Sequence, residues 1–184
     1  MANSIRPALL SDIPAMLRVI NDYAAKGIML PRTEFEMAEN IRDFVVAFNI
    51  DSTELLACGA LHFYTPTSAE VRSLAVNPHH KSAGLGRQIV EALEQDANRH
   101  GLATLFAFTY VQGFFEKLGY TQVDRGELPL KAWKDCLRCP KFQACDEIAM
   151  IKRLRPEPQV QSNPLQIVTG AAPLPRLATI QPIS

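Results

Sequence analysis

The sequence carries no surplus of either charge: 19 Lys and Arg are matched by 19 Asp and Glu over 184 residues, for a formal net charge of zero. Such a balance gives no basis for a nucleic-acid or acidic-membrane partner held by the whole surface. Long hydrophobic runs are also missing. The longest apolar stretch, 55–63, is broken by Gly59 and His62. It has strand length, well short of the roughly 18 residues of a membrane span. Residues 1–7 show no basic segment followed by an apolar one, so a secretory leader is not expected and a cytoplasmic setting is. No internal repeat is visible. Cysteine is scarce, at four residues, and three of the four fall within 133–147. In a reducing setting that clustering suggests metal binding or chemistry before disulfides.

What is present suffices for one packed domain. The hydrophobic content of 47% is ordinary for a globular chain, and a chain of this size buries about 70% of its unfolded surface. Residues 1–154 alternate apolar runs with turn signals. Residues 155–184 hold six of the thirteen prolines and no aromatic residue, the composition of an extended tail.

A short strand is expected around Ile5. Ser11-Asp12, with Pro14 in the first turn, opens a helix whose stripe is Ile13, Met16, Leu17, Ile20 and Ala24. Thr33 and Glu36 form a capping-box pattern for a second helix, with Phe35, Ala38 and Ile41 on one face. Strands are expected at 44–49, 55–64 and 69–76, a long helix from Gly84 to His100, and a strand at 105–109. A short helix at 112–118 and strands at 120–123 and 148–152 complete the series. The order predicts an α/β fold with a mixed sheet and helices on both faces.

The informative stretch is 73–87, Ser-Leu-Ala-Val-Asn-Pro-His-His-Lys-Ser-Ala-Gly-Leu-Gly-Arg. It runs strand, glycine-bearing segment, long helix. A helix's first turn has unmatched N–H groups and a partial positive charge. Gly84 and Gly86 remove side-chain atoms that would keep a phosphate away, and Lys81 and Arg87 flank the turn. The result is an anion site suited to a diphosphate, formed by Lys81, Ser82, Ala83, Gly84, Leu85, Gly86 and Arg87. The P-loop pattern is missing and the dinucleotide fingerprint is incomplete, because position 89 is Ile.

A basic residue followed by x-x-G-x-G at a helix mouth, after a strand ending in Val76-Asn77-Pro78, resembles the GCN5-related N-acetyltransferases (GNAT). So does the late segment 114–120, Phe-Phe-Glu-Lys-Leu-Gly-Tyr. The resemblance covers about residues 4–154 and implies the GNAT fold, with a mostly antiparallel central sheet. It also implies acetyl-CoA as co-substrate and direct transfer to an amine in a ternary complex. Family members are often dimers, which puts a homodimer among the expectations. The resemblance assigns the oxyanion to backbone around Leu74, Ala75 and Val76, and the base to Glu70. The family's usual acid, a Tyr in the late helix, falls on Phe115, which cannot donate a proton. Tyr110 and Tyr120 are the nearby substitutes.

Three local segments resemble the acetyltransferase domains of N-acetylglutamate synthases: Gly27–Arg32, Glu70–Pro78, and Glu127-Leu128-Pro129 with Lys131 and Lys134. The acceptor this implies is the α-amine of L-glutamate, in the first step of arginine synthesis. An acceptor with two carboxylates needs cationic partners, because desolvating them alone is costly. Arg32 and Arg72 are the first candidates, with Ser73 as a hydrogen-bonding neighbour and Lys141 as a further cation. Other amines (another amino acid, a polyamine, a protein N-terminus) stay open, as does a non-catalytic module that senses CoA or a metal.

The spacing C-x2-C-x5-C of Cys136, Cys139 and Cys145 fits a three-thiolate zinc site lacking its fourth ligand, or an iron–sulfur cluster with an open position. The alternative is a stiff segment with reduced thiols that helps wall the acceptor pocket. Cys58, inside an apolar run, reads as a small buried hydrophobe.

Overall fold

The computed structural model describes residues 3–50, 54–80, 84–128, 137, 139 and 141–156. Among them the elements follow the predicted order: β1 (Asn3–Pro7), α1 (Ile13–Ala24), α2 (Glu34–Glu39), β2 (Phe44–Asn49), β3 (Leu55–Phe63), β4 (Ser68–Val76), α3 (Leu85–Arg99), β5 (Thr104–Thr109), α4 (Gln112–Glu116), β6 (Thr121–Gln122) and β7 (Ile148–Arg153).

Pro14 sits at the start of α1, where its missing N–H breaks no helical bond. The residues that α1 buries are Ile13, Met16, Val19 and Ile20. Asp12 does not cap α1 as the sequence suggests. Its carboxylate turns back, accepting from the Leu9 N–H at 2.8 Å and pairing with Arg6 at 2.7 Å. That contact holds the Asp12 carboxyl below the usual carboxylate range, chiefly through the Arg6 hydrogen bond.

The capping box of α2 forms as read: the Thr33 hydroxyl accepts from the Glu36 N–H, and the Glu36 carboxylate accepts from the Thr33 N–H. Its expected face does not hold. Phe35 is 71% exposed and Ala38 is exposed, whereas Met37 is buried. A helix of under two turns turns only one residue squarely to the core, and the capping geometry selects Met37.

The strands form one seven-stranded sheet in the order β1-β2-β3-β4-β5-β7-β6. Every neighbouring pair is antiparallel except β4 and β5, which are parallel. α3 covers one face through Leu85, Ile89, Val90, Leu93 and Ala97, joined there by Phe115 of α4. The other face is covered by α1 and by Met37 of α2. Burying each Leu, Ile or Val contributes about 1.5–3 kcal/mol, so α3 is fixed to the sheet along its length. No helix among the described residues is long and apolar enough to cross a membrane.

Candidate active site

The site begins where the parallel pair parts. β4 and β5 pair only at Ser68–Thr104, Ala69–Leu105 and Glu70–Phe106. β4 continues to Val76 and β5 to Thr109, so a fork opens after Glu70. On its other side β4 stays paired with β3, but the register skips from Cys58–Ala75 to Ala60–Arg72. β4 thus carries an extra residue there, a β-bulge. Ser73 takes φ 51°, the one non-glycine residue with positive φ among those described. Gly59 stands opposite, and a Cβ on it would lie 2.7 Å from Ile89 Cγ2 of α3. Only glycine lets the bulged strand pair and the helix sit this close.

Beyond the fork lies the start of α3. Gly84 precedes its first residue with φ 71°, and no side chain caps the end. The space beside Gly86 would accept a methyl, since the nearest atoms, on Phe114 and Val76, are 3.5 Å from a built Cβ. Packing alone therefore does not require glycine there. Leu85 and Ala75 bury their side chains in the core, which leaves only their backbone for a ligand. The Arg87 Nε donates to Glu91 Oε1 at 3.0 Å in an exposed pair one turn along α3. Lys81, Ser82 and Ala83 lie outside the described residues. At the same open end of the fork, Tyr23 of α1 donates its hydroxyl to the Val76 carbonyl at 2.8 Å and ties the helix to the strand.

A cavity of about 390 Å³ opens from the fork onto the α1 face. It brings together Arg32, Glu70, Arg72, Ser73, Leu74, Tyr110 and Lys141, residues far apart in the chain. Arg32 is set by Asn21 of α1, whose side chain accepts from the Arg32 N–H at 2.9 Å and donates to its carbonyl at 3.0 Å. Arg72 is buried to 8% side-chain exposure and faces Asn40 Oδ1 at 3.4 Å and Asp43 Oδ2 at 3.9 Å. Glu70 is 9% exposed and accepts from the Tyr64 hydroxyl at 2.9 Å.

The far wall holds Tyr110. Lys141 donates to its hydroxyl at 3.1 Å, lies over its ring at 4.9 Å from the centroid, and stands 3.5 Å from Asp146. Burial, more than any charge, pushes the Tyr110 hydroxyl above the ordinary tyrosine value. Tyr120, the other substitute, is 2% exposed and packs with Phe115 under α3, away from the cavity. It is thereby removed from the list of acids.

Two residues that the sequence did not single out also line the wall, Arg125 and Glu147. Arg125 donates to the backbone carbonyls of Cys145 and Glu147 and so fixes that segment. Burial pushes the Glu147 carboxyl up, opposed by the nearby Arg125 guanidinium. Both sit in segments with little regular structure, where no spacing links them to β4.

Cys139 and Cys145 are free thiols on the same wall, and Cys136 lies outside the described residues. Among the described residues no group of three or more His, Cys, Asp or Glu side chains could hold a metal ion. His62 faces Asp43 and His80 faces Glu54. Among the described residues Cys139 and Cys145 alone do not complete a zinc or iron–sulfur donor set, and no step is assigned to either. Cys58 is fully buried as expected, and burial pushes its thiol up to about 12.

Comparison with known proteins agrees with this geometry. The family model for the acetyltransferase (GNAT) family matches residues 16–120. An uncharacterized N-acetyltransferase of Chlorobaculum tepidum, CT2212, is 42% identical over 150 residues, which are 82% of this chain and 96% of that protein. An amino-acid acetyltransferase of Mycobacterium tuberculosis is 33% identical over 121 residues, 65% of this chain and 69% of that one. Among solved structures, N-acetylglutamate synthase from Neisseria gonorrhoeae, complexed with coenzyme A and N-acetyl-glutamate, superposes with a TM-score of 0.76 at 25% identity. That match covers 84% of this chain but only 36% of the synthase, so this chain spans about a third of its length.

Proposed function

The chain belongs to the GNAT family of acetyltransferases, and we propose that within it the chain acetylates the α-amine of L-glutamate, by direct transfer from acetyl-CoA. The observation that carries the reading is the cavity at the fork, whose lining includes Arg32, Arg72, Lys141 and Glu70. A buried acceptor with two carboxylates requires such cations. The relatives called amino-acid acetyltransferases support it, as does the synthase complexed with N-acetyl-glutamate.

Each residue's role follows from its chemistry. The α-amine has a pKa of about 7.7–8, so at neutral pH much of it is protonated and not nucleophilic. Glu70 takes that proton, directly or through a water. The free amine attacks the thioester carbonyl, and a tetrahedral oxyanion forms. Backbone N–H groups of Leu74, Ala75 and Val76, past the bulge, stabilise it. As the C–S bond breaks, Tyr110 gives its proton to the departing thiolate, and the new amide nitrogen loses its extra proton to restore the phenol. Its raised pKa keeps that proton in place through the neutral range. The amides at the start of α3, behind Gly84 and Gly86, hold the diphosphate of the carrier with Lys81, Ser82 and Ala83 beside them. Arg32 and Arg72 take the acceptor's carboxylates, with Ser73 beside them and Lys141 at the far wall.

The test is CoA release by the purified protein with a panel of glutamate, glutamine, aspartate, ornithine and a polyamine. Glutamate is expected to give the highest kcat/KM. A faster amine reassigns the acceptor and leaves the acyl transfer standing.

A further inference from the structure

Glu70 is held by a group that the scheme above does not use. Tyr64 follows directly on β3, and the hairpin to β4 sets its backbone. Its N–H donates to the Ser68 carbonyl at 3.1 Å, while the Thr65 hydroxyl accepts from the Ser68 N–H at 2.9 Å. Its ring lies against Phe106 of β5, with centroids 5.5 Å apart, and meets the His62 ring edge-on at 5.0 Å. His62 is itself tied to Asp43, Nδ1 to Oδ2 at 2.6 Å. The phenol so fixed donates to Glu70 Oε2 at 2.9 Å. Glu70 lines the cavity and Tyr64 does not, so the hydroxyl reaches the carboxylate from outside the space the acceptor would fill.

We propose that Tyr64 is a positioning residue for the acyl transfer: by donating to Oε2 it fixes the Glu70 carboxylate in one orientation toward the cavity. The inference rests on the reading of Glu70 as the base. The terminal torsion of a glutamate is broad and roughly two-fold, so a carboxylate facing a cavity is not aimed by its own chain. A hydrogen bond to a charged oxygen is among the stronger ones available, and a ring packed on two neighbours loses little freedom in making it. A donor to the charged form of a carboxylate favours that form, so losing the donor is read in the acid limb of the rate profile.

Charged groups surround this carboxylate. His62 and Asp43 lie on the β3 side, Arg72 on its own strand, and Arg32, Arg125, Lys141, Tyr110 and Glu147 around the cavity. Changing any of them would alter a pH profile, so the test leaves them all in place.

Tyr64→Phe removes the donor and keeps the ring. The expected result is a kcat lower by about tenfold, KM values for both substrates within about twofold, and an acid limb of kcat/KM moved up by about one pH unit. Combined with Glu70→Gln, it lowers the rate no further than Glu70→Gln alone. If Glu70→Gln is slow and Tyr64→Phe keeps the parent rate and profile, the positioning role is overturned and the base stands. If Glu70→Gln keeps the parent rate, the base assignment falls and takes the positioning role with it. Should Tyr64→Phe melt early, 3-fluorotyrosine at position 64 keeps the ring and strengthens the donor. It should then move the acid limb to lower pH, and an unmoved limb overturns the proposal.

Discussion

Up to Glu70, β4 is an interior strand with partners on both sides; beyond Ser73 it keeps β3 and has parted from β5. The first half is spent on holding the sheet together. The second half faces an opening on the side where β5 has left it. The chemistry-bearing residues gather at the boundary: Glu70 at the last paired position, Arg72 and Ser73 just past it, and Tyr110 just after β5 ends. The difference shows how an antiparallel-rich sheet opens the cleft that its connecting segments then wall. One parallel pair stops early, and a bulge on the opposite ladder bends the strand away.

Five substitutions probe that contrast, in descending order of expected effect. Tyr110→Phe, at the open end of β5, should lower kcat by roughly a hundredfold, as loss of a dedicated proton donor does. The parent enzyme should show no alkaline loss from Tyr110 below about pH 10, because an acid works while protonated and burial moves this pKa upward. A fall in rate near pH 8 that is absent from Tyr110→Phe would contradict this. Arg72→Met and Arg32→Met should each raise the KM for glutamate about tenfold or more while sparing acetyl-CoA, measured by initial rates. An equal rise for both substrates would move these arginines out of the acceptor subsite. Gly59→Val strikes the bulge itself. With Ile89 Cγ2 only 2.7 Å from a built Cβ, it should cost about 1–3 kcal/mol and lower the melting temperature. Gly84→Ala acts furthest from the fork. Its φ of 71° makes a side chain cost about 1 kcal/mol, and the KM for acetyl-CoA should rise severalfold with the acceptor's unchanged.

Much of the fold was legible because its signals are local. The α3 stripe of Leu85, Ile89, Leu93 and Ala97, the Thr33–Glu36 box and the Gly84 turn each depend on neighbours within four residues. The glycine-bearing helix mouth was legible for the same reason, and so was the burial of Cys58 in an apolar run. The errors came where distant parts decide. Asp12 was read as a cap, but Arg6 and the Leu9 N–H claim it. Tyr120 was a candidate acid from its place in the late segment, but the sheet turns it under α3. Arg125, Glu147 and Tyr64 reach the site through pairings across the sheet and its connecting segments, for which no spacing rule exists. The fork itself was unreadable, because nothing in 68–76 says that pairing with 104–109 ends after three residues.

The bulge has a second consequence, one of phase. Ala69 and Val71 pack beneath α3, and so do Leu74 and Val76, whereas Ala75 packs with the cluster under α1. Odd positions face the long helix before Ser73, and even positions face it afterwards. An uninterrupted strand would send Leu74 and Val76 to the wrong layer. The inserted residue resets the alternation, so one strand can present Glu70 and Arg72 to one side and still end by clothing the helix on the other. Losing or gaining a single residue here would turn half the strand inside out, a sensitivity that the segments joining the strands do not share.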